Sequence, residues 1–212
     1  ETFATTGTRI AVRFFGGYNL SSIDLNSESI VSEAYQKGVT MGSDLLNDEN
    51  KNPEFLVWAQ RDKNGAPLQR IQIIKGWIDA NSGRPEEKVF DVACSDGLQP
   101  DLLTNRCPDN GARVNINDCS ITPNVGSSEL KTIWKDPEFV PADKTFYYVR
   151  VLENPTCRWS TWDAIKAGYK PREGLHETIQ ERAWSSPIWY IPEQSDVEVI
   201  PLGGTIQLRN ID

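Results

Sequence analysis

Apolar and polar residues alternate with a period of two along several stretches of the chain, and turn residues separate those stretches. TRIAVRFF (residues 8–15) sets Ile10, Val12 and Phe14 against Arg9, Ala11 and Arg13, the pattern of a strand with one buried face. Gly16-Gly17 is expected to end it. EFLVWAQRD (54–62), the turn Lys63-Asn64-Gly65-Ala66-Pro67 and LQRIQIIKGWID (68–79) together predict a long antiparallel hairpin. EKVFDVA (87–93) follows the Asn81-Ser82-Gly83 turn as a further strand. In the second half, TFYYVRVLE (145–153) and ERAWSSPIWYI (181–191) are the strongest strand patterns, both rich in aromatics. Pro187 has no N–H for a ladder bond, so the second of these must bulge, lie at an edge or break in two. DVEVIP and GGTIQLRNI predict a last hairpin around Gly203-Gly204.

Helical patterns are few and short. Ser128 before ELKTIWKD predicts a helix of two turns, and Ser160 or Thr161 before WDAIKAG predicts another that stops at Gly168. Segment 26–37, with Ile30, Val31, Ala34 and Tyr35, is a third candidate. Many strands joined by a few helices point to a mainly β protein, an antiparallel β-sandwich that is immunoglobulin-like or related. Residues 8–212 are expected to form a single domain of this kind, and residues 1–7 an exit segment from a domain upstream.

Composition supports a folded chain. It has 38% hydrophobic and 25% charged residues, with a mean hydropathy of -0.48. The net charge of -8 argues against nucleic acid or an anionic membrane surface as partner, since both require clustered Lys and Arg. No stretch is apolar enough for a membrane span. The chain opens at Glu1 without Met or a signal-peptide pattern, so a processed or excised piece of a longer protein is expected.

Residues 94–127 show no convincing strand or helix pattern, and a loop this long inside a compact domain needs covalent support. Cys94, Cys107 and Cys119 lie within it and Cys157 beyond it. Three disulfide connectivities are possible; Cys94 with Cys107 plus Cys119 with Cys157 is favoured, because the first closes a short local loop around Gly97 and Pro100. Each bridge contributes roughly 3 kcal/mol through the unfolded chain. A four-thiolate zinc site fits poorly, as spacings of 12, 11 and 37 intervening residues present no paired knuckle. Disulfides imply a periplasmic or extracellular location.

Candidate chemistry is sparse. His176 is the single histidine, too few for a histidine metal cluster, and a surface position is the simpler reading. No G-x-S-x-G elbow precedes a helix, and the cysteines are better used as disulfides. Asp44, Asp48 and Glu49 belong to an acidic loop, DLLNDENKN (44–52), that lacks the alternation of a calcium-binding loop. Two carboxylates in a cleft can hydrolyse glycosides, a third-ranked reading. The seven tryptophans, at 58, 77, 134, 159, 162, 184 and 189, are expected mostly to fill the core. Trp159 and Trp162 are the candidate exposed aromatic patch, which keeps a carbohydrate or other ligand-binding sandwich as the alternative function.

ATTGTRI (4–10), YYVRVLENPTCRWSTWDA (147–164) and TIQERAWSSPIWY (178–190) resemble a bacterial family of exported proteins defined only as a domain of unknown function. FLVWAQRD, RIQIIKGWID and EKVFDVA fit the same family in order, so the resemblance spans nearly the whole chain. It implies the C-terminal part of longer proteins whose earlier part is similar to the PHP (polymerase and histidinol phosphatase) metallohydrolases. Those enzymes hold divalent metal ions on histidines and carboxylates to activate water. Their His-x-His type motif does not occur in residues 1–212, so no metal ligand carries over. The resemblance places Thr5, Thr6 and Gly7 near the domain junction.

The function expected is a noncatalytic accessory domain without a cofactor of its own. Its partner is the upstream domain of the same polypeptide, where a divalent metal would reside. The disulfide reading is checked by counting thiols under denaturing, non-reducing conditions: none is expected, and four free thiols would overturn it.

Overall fold

A computed structural model of the chain describes residues 1–49, 51–79 and 82–192, and the backbone strands 197–202 and 205–210. The first half contains β1 (Phe3–Thr5), β2 (Ala11–Gly17), a 3-10 turn (Leu20–Ser22), α1 (Ile30–Lys37), β3 (Gly38–Thr40), β4 (Asp44–Leu46), β5 (Glu54–Gln60), β6 (Leu68–Ile78) and β7 (Pro85–Cys94). The second half contains β8 (Glu129–Lys135), β9 (Thr145–Glu153), β10 (Thr156–Cys157), α2 (Trp159–Ala167), β11 (Thr178–Ile179), β12 (Arg182–Ser185), β13 (Ile188–Ile191), β14 (Val197–Leu202) and β15 (Thr205–Asn210).

Two sheets pack face to face, as the sandwich expectation requires. The larger runs β7-β6-β9 and then meets β12 and β13, which are flanked by β1 and β4 respectively; only the β13–β4 pair is parallel. The smaller is β3-β2-β5-β8, antiparallel throughout. Phe14, Phe55 and Val57 from the smaller sheet share one buried cluster with Ile73, Tyr147 and Val149 from the larger. The opposite face of the smaller sheet is buried too: Phe15 and Leu56 pack under Leu20, Ile30 and Ala34, contributed by the 3-10 turn and α1.

Double-sided burial explains where the sequence pattern misleads. Strands β5 and β6 do not form the expected hairpin; β5 pairs with β2 and β8, whereas β6 pairs with β7 and β9. The turn at 63–67 carries the chain from one sheet to the other, because Phe55 and Val57 face one apolar layer and Leu56 the other. Residues 129–135 form strand β8 rather than a helix. Leu130 and Trp134, four apart, satisfy both a helical and a period-two pattern; packing places them on the inter-sheet core and Ile133 on the α1 layer. Gly16 and Gly17 are the last two residues of β2, which ends there as expected, and both are still paired in the sheet. A Cβ on Gly17 would lie 2.7 Å from the Lys37 carbonyl oxygen, so close backbone approach requires glycine there.

Other expectations hold. α1 covers most of the 26–37 candidate, and α2 ends on a left-handed Gly168 whose N–H bonds the last turn. α2 starts earlier than expected, with Arg158 at its N-cap, so Ser160 and Thr161 lie inside it and the Thr161 hydroxyl donates to the Glu177 carbonyl. The 181–191 segment divides around Pro187 into β12 and β13, both paired with β9. At this break the Val149 N–H donates to Ser185 Oγ at 2.9 Å. β14 and β15 pair as an antiparallel hairpin; Gly203 and Gly204 lie outside the described residues. Residues 95–127 carry only isolated bridges, and both favoured disulfides, Cys94–Cys107 and Cys119–Cys157, are present.

One charge pair is built into the core. Lys75 Nζ lies 2.6 Å from Asp136, and both side chains are almost wholly buried. Tyr147 donates its hydroxyl to the same carboxylate at 2.8 Å, the Glu138 N–H donates to it at 2.8 Å, and Lys75 donates to the Glu138 carbonyl at 2.7 Å. Burial and the adjacent Asp136 charge push the Tyr147 hydroxyl far above the ordinary tyrosine range. A buried pair broken on one side leaves an uncompensated charge. Lys75→Met is therefore expected to destabilise the domain by about 3–5 kcal/mol in urea unfolding; a loss below about 1 kcal/mol, the worth of a surface pair, would contradict this account.

Candidate functional site

Strand β9 spans the sandwich, and the two ends of β9 carry different surfaces. At the Glu153 end the chain leaves the sheet in an excursion, residues 154–181, and returns into β12 at Arg182. Its base is the β10–β11 pair, tied through Cys157 to Cys119 and closed by Arg158 N–H donating to the Glu177 carbonyl. Above it stands α2 with Trp159 77% and Trp162 40% exposed; Tyr169 and Leu175 are exposed as well. Lys166 Nζ lies 5.6 Å from the Trp162 ring centre, a cation–π contact. Trp159 and Trp162 are thus both exposed, on the same helix.

The N-terminal segment passes the same end. Thr5 pairs with Ala183 as the last residue of β1. Thr6 exchanges backbone and side-chain hydrogen bonds with Arg182, donates its hydroxyl to Glu181, and Gly7 packs beside the Glu181 carboxylate. The Thr5-Thr6-Gly7 segment thus meets the chain where the excursion returns to the sheet, at Glu181, Arg182 and Ala183.

Beneath them lies a group that sequence reading missed. Glu153 is fully buried, and no donor meets either carboxylate oxygen in good hydrogen-bond geometry; the Thr8 hydroxyl and the Ala66 N–H are only weakly placed towards it. Its carboxylate presses on Gly65, where an added Cβ would lie 2.7 Å away. Burial pushes its pKa up to about 7, and the nearby Glu181 and Asp62 charges add to the rise. Thr8 and the Ala66 N–H act in the other direction without cancelling it. Asp62 is engaged elsewhere, accepting from the Arg9 and Asn64 N–H groups.

The opposite end of the larger sheet carries an open groove of about 480 Å³. Trp77 comes to it from β6, Glu86 and Glu87 from β7, Phe146 from β9 and Trp189 from β13, with Lys144 just before β9. Phe146 lies over Gly76, its cross-strand partner, and a Cβ on Gly76 would overlap the ring. Aromatic cover of a strand glycine positions the ring flat on the sheet. The Phe146 and Trp189 rings have centroids 5.2 Å apart at 51°, and Tyr148 extends the row at 6.4 Å from Phe146. The spacing of Phe146 and Tyr148, two apart on β9, was the available sequence signal; the approach of Trp189 depends on register alone.

The tryptophans divide accordingly. Trp134 and Trp58 pack against the two core clusters, Trp77 and Trp189 line the groove, Trp159 and Trp162 stand on α2, and Trp184 lies on β12 with the Arg182 guanidinium over its ring. None of the seven is fully buried, so the expectation that most fill the core is not met. His176 is exposed, as expected. Asp48 and Glu49 pair with Lys51 rather than converging on a cleft. Among the described residues no group of three or more His, Cys, Asp or Glu is placed to hold a metal ion, and no helix is long and apolar enough to cross a membrane. The two disulfides are compatible with a secreted or extracellular protein.

Comparison with known proteins adds one match. A family model described as Protein of unknown function (DUF3604) matches residues 1–192. The chain belongs to this family. The DUF3604 match takes in both sheets, the disulfide loop and α2, and it stops before β14 and β15. No curated protein and no solved structure matches the chain.

Glu153 allows a test of the electrostatics at the α2 end. Its folded pKa lies above its unfolded value, so the folded state holds the proton more tightly than the unfolded chain. The resulting stability is fully present below the unfolded value and is lost as pH rises through about 7. Glu153→Gln is expected to flatten the melting temperature between about pH 5 and 7 and to raise it at pH 8 by about 2–4 °C per kcal/mol regained. An unchanged pH profile would show that Glu153 is already compensated.

Proposed function

We propose that this domain is a noncatalytic accessory module of an exported polypeptide, and that its α2 end faces a PHP-like metallohydrolase-related domain upstream. The observation that supports the reading is that Trp159, Trp162, Tyr169 and Leu175 are exposed on one excursion, whose return to the sheet at Arg182 is bonded by Thr6. Large apolar side chains grouped on a surface mark contact sites, and aromatic residues are the usual anchors of such contacts. The Cys119–Cys157 bridge anchors the base of the excursion to the stapled loop, so its ordering cost is met before docking.

The divalent metal implied by the family resemblance has no donor set among the described residues. The histidine is exposed, the cysteines are bridged, and no three carboxylates among the described residues are placed to hold one ion. In this reading metal chemistry belongs to the neighbouring domain, and no step is assigned to residues here. A second reading, a ligand-binding sandwich, is favoured by the aromatic groove at the other end of β9.

Purified residues 1–212 are expected to show no phosphoesterase turnover with added manganese or zinc; clear turnover would overturn the accessory reading. In a polypeptide carrying the metallohydrolase-like domain, Trp159→Ser combined with Trp162→Ser is expected to speed proteolysis between the two domains. Equal cleavage rates would place the contact elsewhere.

A further inference from the structure

We propose that the groove formed by Trp77, Phe146 and Trp189 with Glu86, Glu87 and Lys144 is a binding site for neutral pyranosides of an extracellular polysaccharide. The proposal rests on the ligand-binding reading and goes further by assigning the site, the chemical class of ligand and the role of each side chain. A volume of about 480 Å³ lies within the range of small-ligand sites, about 300–1,000 Å³.

Ring geometry selects among ligands with apolar faces. With centroids 5.2 Å apart, Phe146 and Trp189 touch each other, and no group fits between them. Inclined at 51°, they form one continuous angled surface rather than a box. A quaternary ammonium is held by rings that surround it, and Lys144 in the same groove adds repulsion. An angled aromatic surface instead accepts a ligand that lays one apolar face on a ring and follows the bend with the next. One face of a pyranose presents polarised C–H groups, which meet the negative face of an aromatic ring favourably.

The rim selects further. Glu86, Glu87 and Lys144 are exposed beside the rings. A pyranose carries hydroxyls around its edge, and these would donate to the two carboxylates and accept from the ammonium. An acyl chain in the same place would desolvate three charges with no compensating bond. Stacked nucleobases are disfavoured because their phosphates would meet two carboxylates on a chain of net charge -8. The groove stays open to solvent along the sheet end, which suits an internal stretch of a longer glycan. Polysaccharides are met in the same compartment that two disulfides imply.

The platform residues are also the safest to vary. Trp189 is 45% exposed, so its loss opens no cavity, whereas Phe146 is needed over Gly76. Affinity electrophoresis of the 212-residue chain through gels containing β-glucan, xylan, galactomannan or glycol chitin is expected to show retardation by at least one polysaccharide. Calorimetry with the matching oligosaccharide is then expected to show affinity falling about tenfold or more for Trp189→Ala, the scale of an aromatic anchor. Glu86→Gln with Glu87→Gln is expected to weaken binding several-fold, and Trp159→Ala to leave it unchanged. Circular dichroism of each variant confirms the fold.

The contrary outcomes separate the claims. Retardation that Trp159→Ala abolishes and Trp189→Ala does not would overturn this site while leaving a ligand-binding sandwich in place. Binding of an apolar dye that Trp189→Ala abolishes, with no polysaccharide retarding the chain, would overturn the pyranoside assignment alone. No binding of polysaccharide or dye would overturn both. Retardation of a chain ending at Pro192 but not of the full chain would make the following segment the occupant, and would overturn the proposal.

Discussion

The contact between the inner faces of the two sheets, Phe14, Phe55 and Val57 against Ile73, Tyr147 and Val149, constrains everything else in the domain. Because the larger sheet must present an apolar inner face along β6 and β9, any polar group on that face has to be satisfied inside the protein. Lys75, Asp136 and Tyr147 show how: each charge or hydroxyl is met by another and by the Glu138 backbone. The network gives the core a polar end near the start of β9. Its geometry is unforgiving, since low dielectric makes both the bonds and their loss large.

β9 then separates two surfaces by its own length. Nine residues of strand hold the α2 excursion and the buried Glu153 at one end, and the aromatic groove at the other. The first surface is stiffened by disulfide and backbone hydrogen bonds; the second is stiffened by strand pairing, with Phe146 fixed over Gly76 and Trp189 set beside it by register. Sites on paired strands are held more closely than sites on loops. The proposed docking surface on the excursion and the proposed ligand surface on the sheet end therefore use separate residues of one domain.

The stretch from 94 to 127 plays the part that a core plays elsewhere. It buries few apolar groups, among them Ala112, and its backbone is held by side chains instead: Asp91 accepts from the Cys107 N–H, Asp96 from the Gly126 N–H, and Asp101 from those of Leu103 and Thr104. Cys94–Cys107 and Cys119–Cys157 fasten it to β7 and to the base of α2. Short polar side chains bonding to nearby backbone are the local signature of such a loop, which is why its Asn, Asp, Gly and Pro content identified it without any strand or helix pattern.

The sequence by itself determined the mainly β class, most strand positions and the stop of α2 at Gly168; it marked an irregularity at Pro187 and favoured one of three cysteine pairings, and the structure decided both. Each follows from local chemistry: side-chain period, a missing N–H, a left-handed turn, or a short loop that a bridge can close. It also marked Trp159, Trp162 and residues 5–7 individually. Only the tertiary structure decided which strand pairs with which, that ELKTIWK lies in a sheet, that Glu153 is buried among other acids, and that Trp189 joins Phe146 in a platform. Those outcomes depend on register between residues far apart in the chain. A leucine and a tryptophan four positions apart look the same to a helix and to a strand until the opposing sheet supplies the surface they bury.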